Sequence, residues 1–202
     1  MFLMIAKGGP VMVLIIFLSL VAGVIIIERL LFFRKIRMDE EKFIGRLKSA
    51  IQKSHYDEAL DICANNATPL SNLMKVGIEH RSYGKTEIKD SILAAANLEV
   101  PQLERYLTSL GTIAHISPLL GLLGTVTGNI KAFGVLGNFG SVADPSLLAT
   151  GISEALLTTA AGIIVSIPAI VFYNYLVGKA NNTIINLENR VNDLVLFFEA
   201  GE

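Results

Sequence analysis

A single acidic residue at the start of a long uncharged stretch is the side chain best placed for proton chemistry. Glu154 is followed by no charged residue until Lys179. A carboxylate inside a bilayer costs on the order of 3 kcal/mol, so such residues usually face a cavity and mark an ion pathway. A glutamate at a helix N-terminus is also stabilised by the helix dipole. The sequence leaves both interpretations of Glu154 open.

Small and hydroxyl-bearing side chains recur at helical spacing on both sides of Glu154. The stripe after it consists of Ala155, Thr159, Gly162, Ser166, Ala169 and Tyr173. The stripe before it consists of Gly121, Thr125, Gly128 or Asn129, and Ala132, with Gly124 and Gly128 forming a GxxxG motif. Residues spaced by three and four lie on one helix face. Such faces either line a transport path or allow two helices to pack closely, and the pattern fits both.

Two further polar residues have open roles. Lys131 is expected near the outer end of its uncharged stretch, with its ammonium group reaching the lipid headgroups. His115 lies deeper, where it either relays protons near neutral pH or makes a structural hydrogen bond. The sequence shows no metal-ligand cluster or nucleophile triad, and the glycine-rich run at 121–125 lacks the Lys-Ser/Thr ending of a phosphate-binding loop. We therefore expect no enzyme, no metal and no cofactor.

Three long uncharged stretches position these residues. The chain has 202 residues, of which 17% are charged, against about 25% in soluble domains. Because a bilayer core is about 30 Å thick, a helix needs roughly 20 apolar residues to cross it. Residues 8–27, 106–130 and 155–178 meet that length, and the first is the richest in Val, Ile and Leu. The predicted fold is an all-α integral membrane protein with three transmembrane helices.

Charge and hydropathy divide the chain into six segments. These are the N-terminal segment with the first transmembrane helix (1–33), a cytoplasmic helical region (34–105), the second transmembrane helix (106–136), a periplasmic connection (137–150), the third transmembrane helix (151–178) and a cytoplasmic helical tail (179–202). Basic residues crowd after the first span, which by the positive-inside rule places the N-terminus outside and the C-terminus inside. The net charge of −1, without a basic run, argues against nucleic-acid binding.

Local signals predict how the helices begin and continue. Ser54 with Asp57 has the pattern of a capping box, Thr68 before Pro69 that of an N-cap, and Thr86 that of a further cap. The helix after Thr86 is expected to pass through Pro101 into the second span.

The tail carries an apolar stripe that alternates steps of four and three residues, as in a coiled coil. Its members are Ala180, Ile184, Leu187, Val191, Leu194 and Phe198. We expect the third span and the tail to form one long helix, so that helices two and three both extend into the cytoplasm. The stripe either bundles with other copies or packs on its own chain.

Two runs of sequence resemble a known family. Residues 117–133 read SPLLGLLGTVTGNIKAF, and residues 151–174 read GISEALLTTAAGIIVSIPAIVFYN. They are similar to the second- and third-span signatures of the ExbB/TolQ/MotA proton-channel family, in the same order and on the same spans. Three predicted spans, rather than the four of MotA-type stators, favour the ExbB/TolQ branch.

The resemblance implies an ion path. Members of this family form a ring of identical subunits, typically five, around two copies of a single-span ExbD-, TolR- or MotB-like partner whose aspartate carries the proton. Carried onto this sequence, the path hydroxyls are those of Thr125 and Thr159, with Glu154 as the acidic residue. The residues expected to line the pore or pack helices are Gly121, Gly124, Gly128, Ala155, Gly162 and Ser166.

The implied function is that of the channel-forming subunit of a motor driven by the proton-motive force in the bacterial inner membrane. Such a motor energises outer-membrane transport or another envelope process, and a TonB-like protein is a candidate further partner. Two alternatives stay open: a membrane scaffold that packs helices without conducting ions, and a Na⁺-driven relative of the gliding or flagellar-stator type. The sequence does not distinguish H⁺ from Na⁺.

Overall fold

The computed structural model describes residues 9–36, 40–66, 68–139 and 145–199, which contain seven α-helices and no strand. The helices are α1 (Gly9–Lys35), α2 (Glu40–Gln52), α3 (Tyr56–Ala64), α4 (Pro69–Glu79), α5 (Lys85–Leu103), α6 (Leu107–Phe139) and α7 (Pro145–Glu199). The predicted all-α fold class is confirmed.

Three segments are long and apolar enough to cross a membrane. They are Gly9–Lys35, Lys85–Gly134 and Leu148–Arg190, whose most apolar windows have mean hydropathies of 3.0, 1.4 and 2.2. The first is the most apolar, as the distribution of Val, Ile and Leu predicts. The chain is therefore a multi-pass membrane protein, and the sidedness assigned above to its segments stays a prediction.

The third apolar stretch and the tail form one helix, as the sequence predicts. Helix α7 runs from Pro145 to Glu199, and so begins ahead of residue 151. Helix α6 extends to Phe139, beyond the expected end at residue 136. Residues 140–144 of the predicted connection, and the last three residues of the tail, lie outside the described part of the chain.

Helix α4 begins as the sequence predicts, whereas two other expected caps are wrong. The backbone N–H of Ser71 donates to the Thr68 hydroxyl over 3.3 Å and the Thr68 N–H donates to the Ser71 hydroxyl over 3.0 Å, with Pro69 in the first turn. Ser54 instead has a φ of 59° and donates its N–H to Ile51 at the end of α2. It thereby closes the preceding helix, and His55 occupies the N-cap of α3.

The helix after residue 84 does not continue into the second span. Its N-cap is Gly84 rather than Thr86, and the helix ends at Leu103, two residues after Pro101. Pro101 has no N–H to donate to the preceding turn, which weakens the helix there. Tyr106 then adopts a φ of 62°, which a helix does not accommodate, and α6 starts at Leu107.

The chain divides into two compact units. The first unit comprises Met1–Glu28 and Tyr106–Leu176, and the second comprises Arg29–Arg105 and Val177–Glu202. In the second unit, α2, α3, α4 and α5 pack each against the next. Its core contains side chains that are at most 1% exposed: Phe33, Leu47, Ala59, Ser71, Leu73, Ile78, Ile92, Leu103 and Ala180.

Arg29 is a buried residue of the second unit. It is one of the basic residues that follow the first apolar stretch, yet it is 1% exposed. Its guanidinium donates to the Gln102 carbonyl over 2.8 Å and lies 4.4 Å from the centre of the Phe32 ring. A buried charge needs such hydrogen-bonding partners to offset its lost hydration. Arg29 therefore ties the end of α1 to the end of α5 within this unit.

Cys63 is expected to resist alkylation in the native protein. The side chain is 3% exposed, and burial raises the pKa of its thiol to about 11, an effect that Lys75 partly opposes. At pH 8 only about one thiol in a thousand would then be the reactive thiolate. We predict that N-ethylmaleimide labels Cys63 slowly at pH 8 in mild detergent and quickly after denaturation, as followed by intact-mass spectrometry. Complete labelling of the native protein within minutes would show that the site is open.

Candidate functional site

Helices α6 and α7 of the first unit contact each other through their smallest residues. A Cβ placed on Gly121 would lie 2.9 Å from the Cα of Thr159. A Cβ on Gly162 would collide with the Ser117 carbonyl oxygen and lie 3.2 Å from the Cα of Gly121. Because backbone atoms lie on the opposite side, neither position has room for a side chain. The glycine face of α6 is therefore packed against α7 of the same chain.

The same contact uses the other small residues singled out in the sequence. Gly124 faces the side chain of Thr158, and a Cβ on Gly128 would lie 2.6 Å from that of Ala155. Gly151 and Ala132 continue the contact, with 3.1 Å between the corresponding Cβ positions. This series places the GxxxG motif of α6 in a helix–helix interface, which is one of the two roles its pattern allows.

Two hydroxyl groups of α7 bridge to backbone carbonyls of α6. The Thr159 hydroxyl donates to the Gly121 carbonyl over 2.8 Å, and the buried Ser166 hydroxyl donates to the Ala114 carbonyl over 2.6 Å. A carbonyl oxygen has two lone pairs, so it can accept these bonds in addition to its own helical one. The two bonds fix the register of α7 against α6.

Thr125 behaves differently from Thr159. Its hydroxyl donates to the Leu122 carbonyl of its own helix over 2.7 Å, and its side chain is half-buried. His115 is exposed, and its Nδ1 lies 2.6 Å from the Gly111 carbonyl oxygen one turn earlier. That contact supplies the structural hydrogen bond considered for His115, while proton relay by its ring stays a prediction.

A cleft of about 410 Å³ lies between α6, α7 and the start of α1. Its charged and hydroxyl-bearing lining consists of Thr127 and Lys131 on α6 and Glu154 and Thr158 on α7. The rest of the lining is Gly9, Pro10, Val11, Gly124, Gly128, Gly151 and Ala155. The cleft thus combines two opposite charges with two hydroxyl groups.

Glu154 also borders a second hollow of about 280 Å³, whose other lining residues are Ala149, Thr150, Ser153 and Leu157 of the same helix. Its half-buried side chain therefore lies at the boundary between the cleft and an open face of α7.

The sequence predicts a place for Lys131 near the lipid headgroups, separate from Glu154, and predicts no role for Thr127. The signal for the cleft is a pair of helical spacings, with Lys131 four residues after Thr127 and Thr158 four residues after Glu154. Each spacing places two polar groups on one face of a helix. Only the packing of the helices shows that the two faces meet the same cleft.

The family model and the relatives that match this chain all indicate the same protein family. Residues 65–189 match the model of the MotA/TolQ/ExbB proton channel family. A putative biopolymer transport protein ExbB homolog of Methanothermobacter thermautotrophicus is 30% identical over 92% of this chain and 66% of its own length, just under two thirds.

This chain spans a larger share of the length of two further relatives. The putative biopolymer transport protein ExbB-like 3 of Synechocystis is 31% identical over 83% of this chain and 80% of its own length. The Tol-Pal system protein TolQ of Haemophilus influenzae is 31% identical over 85% and 79%. With its three apolar helices and its paired small-residue faces, the chain belongs to the MotA/TolQ/ExbB proton channel family, in the ExbB/TolQ branch.

Proposed function

We propose that this chain is the channel-forming subunit of a proton-driven motor in the bacterial inner membrane. The observation that carries the proposal is the cleft lined by Glu154, Lys131, Thr127 and Thr158, which lies among helices long enough to cross a bilayer. Charged groups at membrane depth are costly and are usually retained for a pathway. Membership of a proton-channel family supports the same conclusion.

The proposed assembly is a ring of five copies around two single-span ExbD- or TolR-like partners. The N-terminus lies in the periplasm, and residues 34–105 and the tail lie in the cytoplasm. Large apolar side chains that point away from the α6–α7 contact support such an assembly, since Leu119 is 63% exposed and Ile164 is 69% exposed in one chain. Lipid and neighbouring subunits are the environments that suit these side chains.

The proposed proton path uses the hydroxyls of Thr125 and Thr159 and the carboxylate of Glu154, next to an aspartate of the partner. The Thr159 hydroxyl donates to Gly121, which leaves its lone pairs free to accept from water or from a protonated carboxyl group. One elementary charge that falls through 100 mV releases about 2.3 kcal/mol, so several protons per step supply the energy of a mechanical stroke. A TonB-like protein is the proposed recipient of that stroke.

A membrane scaffold without conduction is the second candidate. It is favoured by the close packing of Gly121, Gly124 and Gly128 against α7, because faces that are filled by another helix of the same chain are not open to a pore.

Co-reconstitution separates the two candidates. The chain is purified with a co-encoded single-span protein that bears a membrane aspartate, and the complex is imaged and placed in liposomes that enclose a pH-sensitive dye. We expect a central pair of partner helices and a proton flux that an aspartate-to-asparagine change in the partner abolishes. A ring with a closed centre and no flux would support the scaffold.

A further inference from the structure

We propose that a pocket in the second unit binds the phosphate group of an anionic lipid headgroup. The pocket holds about 180 Å³ and lies between the end of α1, the first turn of α4 and the tail part of α7. Among the described residues that line it, the charged ones are Lys179 and Arg190, and both are basic. The pocket shares no lining residue with the cleft at Glu154, and the inference does not depend on proton conduction.

The polar side of the pocket is one face of α7. Lys179, Thr183, Asn186 and Arg190 follow one another at steps of four, three and four residues, which places them on the same side of the helix. The Thr183 hydroxyl donates to the Lys179 carbonyl over 2.9 Å, so its lone pairs remain to accept a hydrogen bond. Asn186 is exposed and carries an amide group that can donate. The face therefore offers two cations and a neutral donor to an anion.

The apolar side of the pocket includes Phe33. This side chain is 1% exposed, and the Phe32 ring meets it edge-on with 5.5 Å between the ring centres. The Lys179 ammonium group lies 5.6 Å from the centre of the Phe33 ring, which is within the range of a cation–π contact. Because the ring is buried, the contact holds the ammonium group at the wall of the pocket.

The pocket begins where the apolar stretches end. Lys179 is the first charged residue after Glu154, and Phe33 is followed directly by Arg34 and Lys35 at the end of the first candidate span. Where an apolar stretch gives way to basic residues, a membrane helix enters the headgroup layer. Lipid phosphates are concentrated in that layer, whereas a soluble phosphate reaches it only from the aqueous phase. This position favours a lipid as the source of the phosphate.

The charge of the lining favours an anionic lipid over a zwitterionic one. Basic pockets beside membrane helices attract anionic headgroups. A phosphatidylcholine headgroup brings its own cation, which Lys179 and Arg190 would repel. A phosphatidylglycerol headgroup instead has a net negative charge, and its glycerol hydroxyls suit the side chains of Thr183 and Asn186. Lys179 is the expected phosphate contact because it lies nearer to the apolar stretch, and Arg190 attracts the same charge from the far end of the pocket.

Native mass spectrometry of the purified full chain in detergent tests the site. With phosphatidylglycerol and phosphatidylcholine of equal acyl chains added in turn, the wild type should bind phosphatidylglycerol more tightly. Lys179→Met and Arg190→Gln should each lower the affinity for phosphatidylglycerol roughly fivefold and leave that for phosphatidylcholine unchanged, because one positive charge at a membrane surface contributes about that factor. Lys179→Met keeps an apolar stem over Phe33, and Lys179→Arg should retain the preference.

The matched control is Arg34→Gln with Lys35→Met. Both side chains are exposed at the end of α1, and neither lines the pocket. The control removes as much charge as the double variant Lys179→Met with Arg190→Gln, and it should keep most of the preference for phosphatidylglycerol. Phosphatidylcholine binding and the melting temperature, measured on every variant, show that the variants are folded.

Three results would overturn the proposal. The first is an unchanged preference for phosphatidylglycerol in the double variant of Lys179 and Arg190. The second is an equal loss of preference in the control, because the attraction would then come from net charge rather than from the pocket. The third is equal affinity of the wild type for both lipids; if inorganic phosphate then raises the melting temperature of the wild type but not of the double variant, the pocket binds a soluble phosphate and the assignment to a lipid is wrong.

Discussion

Gly162→Ala is expected to lower the melting temperature of the purified protein by roughly 5–10 °C, although the substitution adds only one methyl group. The added Cβ would collide with the Ser117 carbonyl oxygen and lie 3.2 Å from the Cα of Gly121. Both neighbours are backbone atoms of α6, so no side-chain rotation relieves the clash. The helices must separate, which also lengthens the hydrogen bonds from Thr159 and Ser166.

The control lies on the same helix. A Cβ on Gly178 meets no atom within 4 Å, so Gly178→Ala removes a flexible residue without a clash. Alanine favours a helix over glycine by about 1 kcal/mol, so this variant should be as stable as the wild type or slightly more so. Thermal unfolding followed by circular dichroism or by loss of monodisperse protein measures both variants. If Gly162→Ala melts like Gly178→Ala, the α6–α7 contact described above is not the one that holds the protein together.

The small-residue faces show what a sequence pattern can and cannot predict. Spacings of three and four residues identify which side chains share a face, because the helix period alone sets that. They do not identify what the face meets, since a pore wall and a helix contact both favour small side chains. The bond from Thr159 to Gly121 joins residues 38 positions apart, and only the packed helices reveal it.

Local sequence signals predicted the start of one helix correctly, at Thr68, and two others wrongly, at Ser54 and Thr86. Thr68 caps α4 in an extended conformation, with φ −125° and ψ 155°, which the following Pro69 favours. Ser54 has the residue type of a cap, yet its left-handed conformation serves the end of α2 instead. Where two helices follow each other closely, one polar residue is a candidate for both ends, and tertiary packing decides between them.

Lys131 and Arg29 show the same limit for charged residues. Hydropathy treats each as a group at the edge of an apolar stretch that reaches for water or headgroups. The structure places Lys131 and Glu154 in the lining of one cleft and buries Arg29 against the end of α5. Both placements depend on contacts between helices that are distant in sequence. A hydropathy average over neighbouring residues does not detect such contacts.

Thr159→Val is expected to reduce proton flux through the reconstituted complex to background while leaving the assembly intact. Valine has nearly the same shape as threonine but lacks the hydroxyl, so the bond to the Gly121 carbonyl is lost. Such a bond contributes about 1 kcal/mol, a shift of roughly 2–4 °C in melting temperature, which the remaining α6–α7 contacts tolerate. A path that needs this hydroxyl to hold water beside a titrating carboxylate loses a link that valine cannot replace.

Two variants make the test specific. Thr159→Ser keeps the hydroxyl and should retain most of the flux. Thr112→Val removes a hydroxyl that bonds only within α6, to the Thr108 carbonyl over 2.9 Å, and should conduct like the wild type. Glu154→Ala is expected to weaken flux less than Thr159→Val does, because the partner aspartate still carries the proton. Full flux through Thr159→Val, with the lowered melting temperature alone, would reduce Thr159 to a residue that packs helices and would favour the scaffold over the channel.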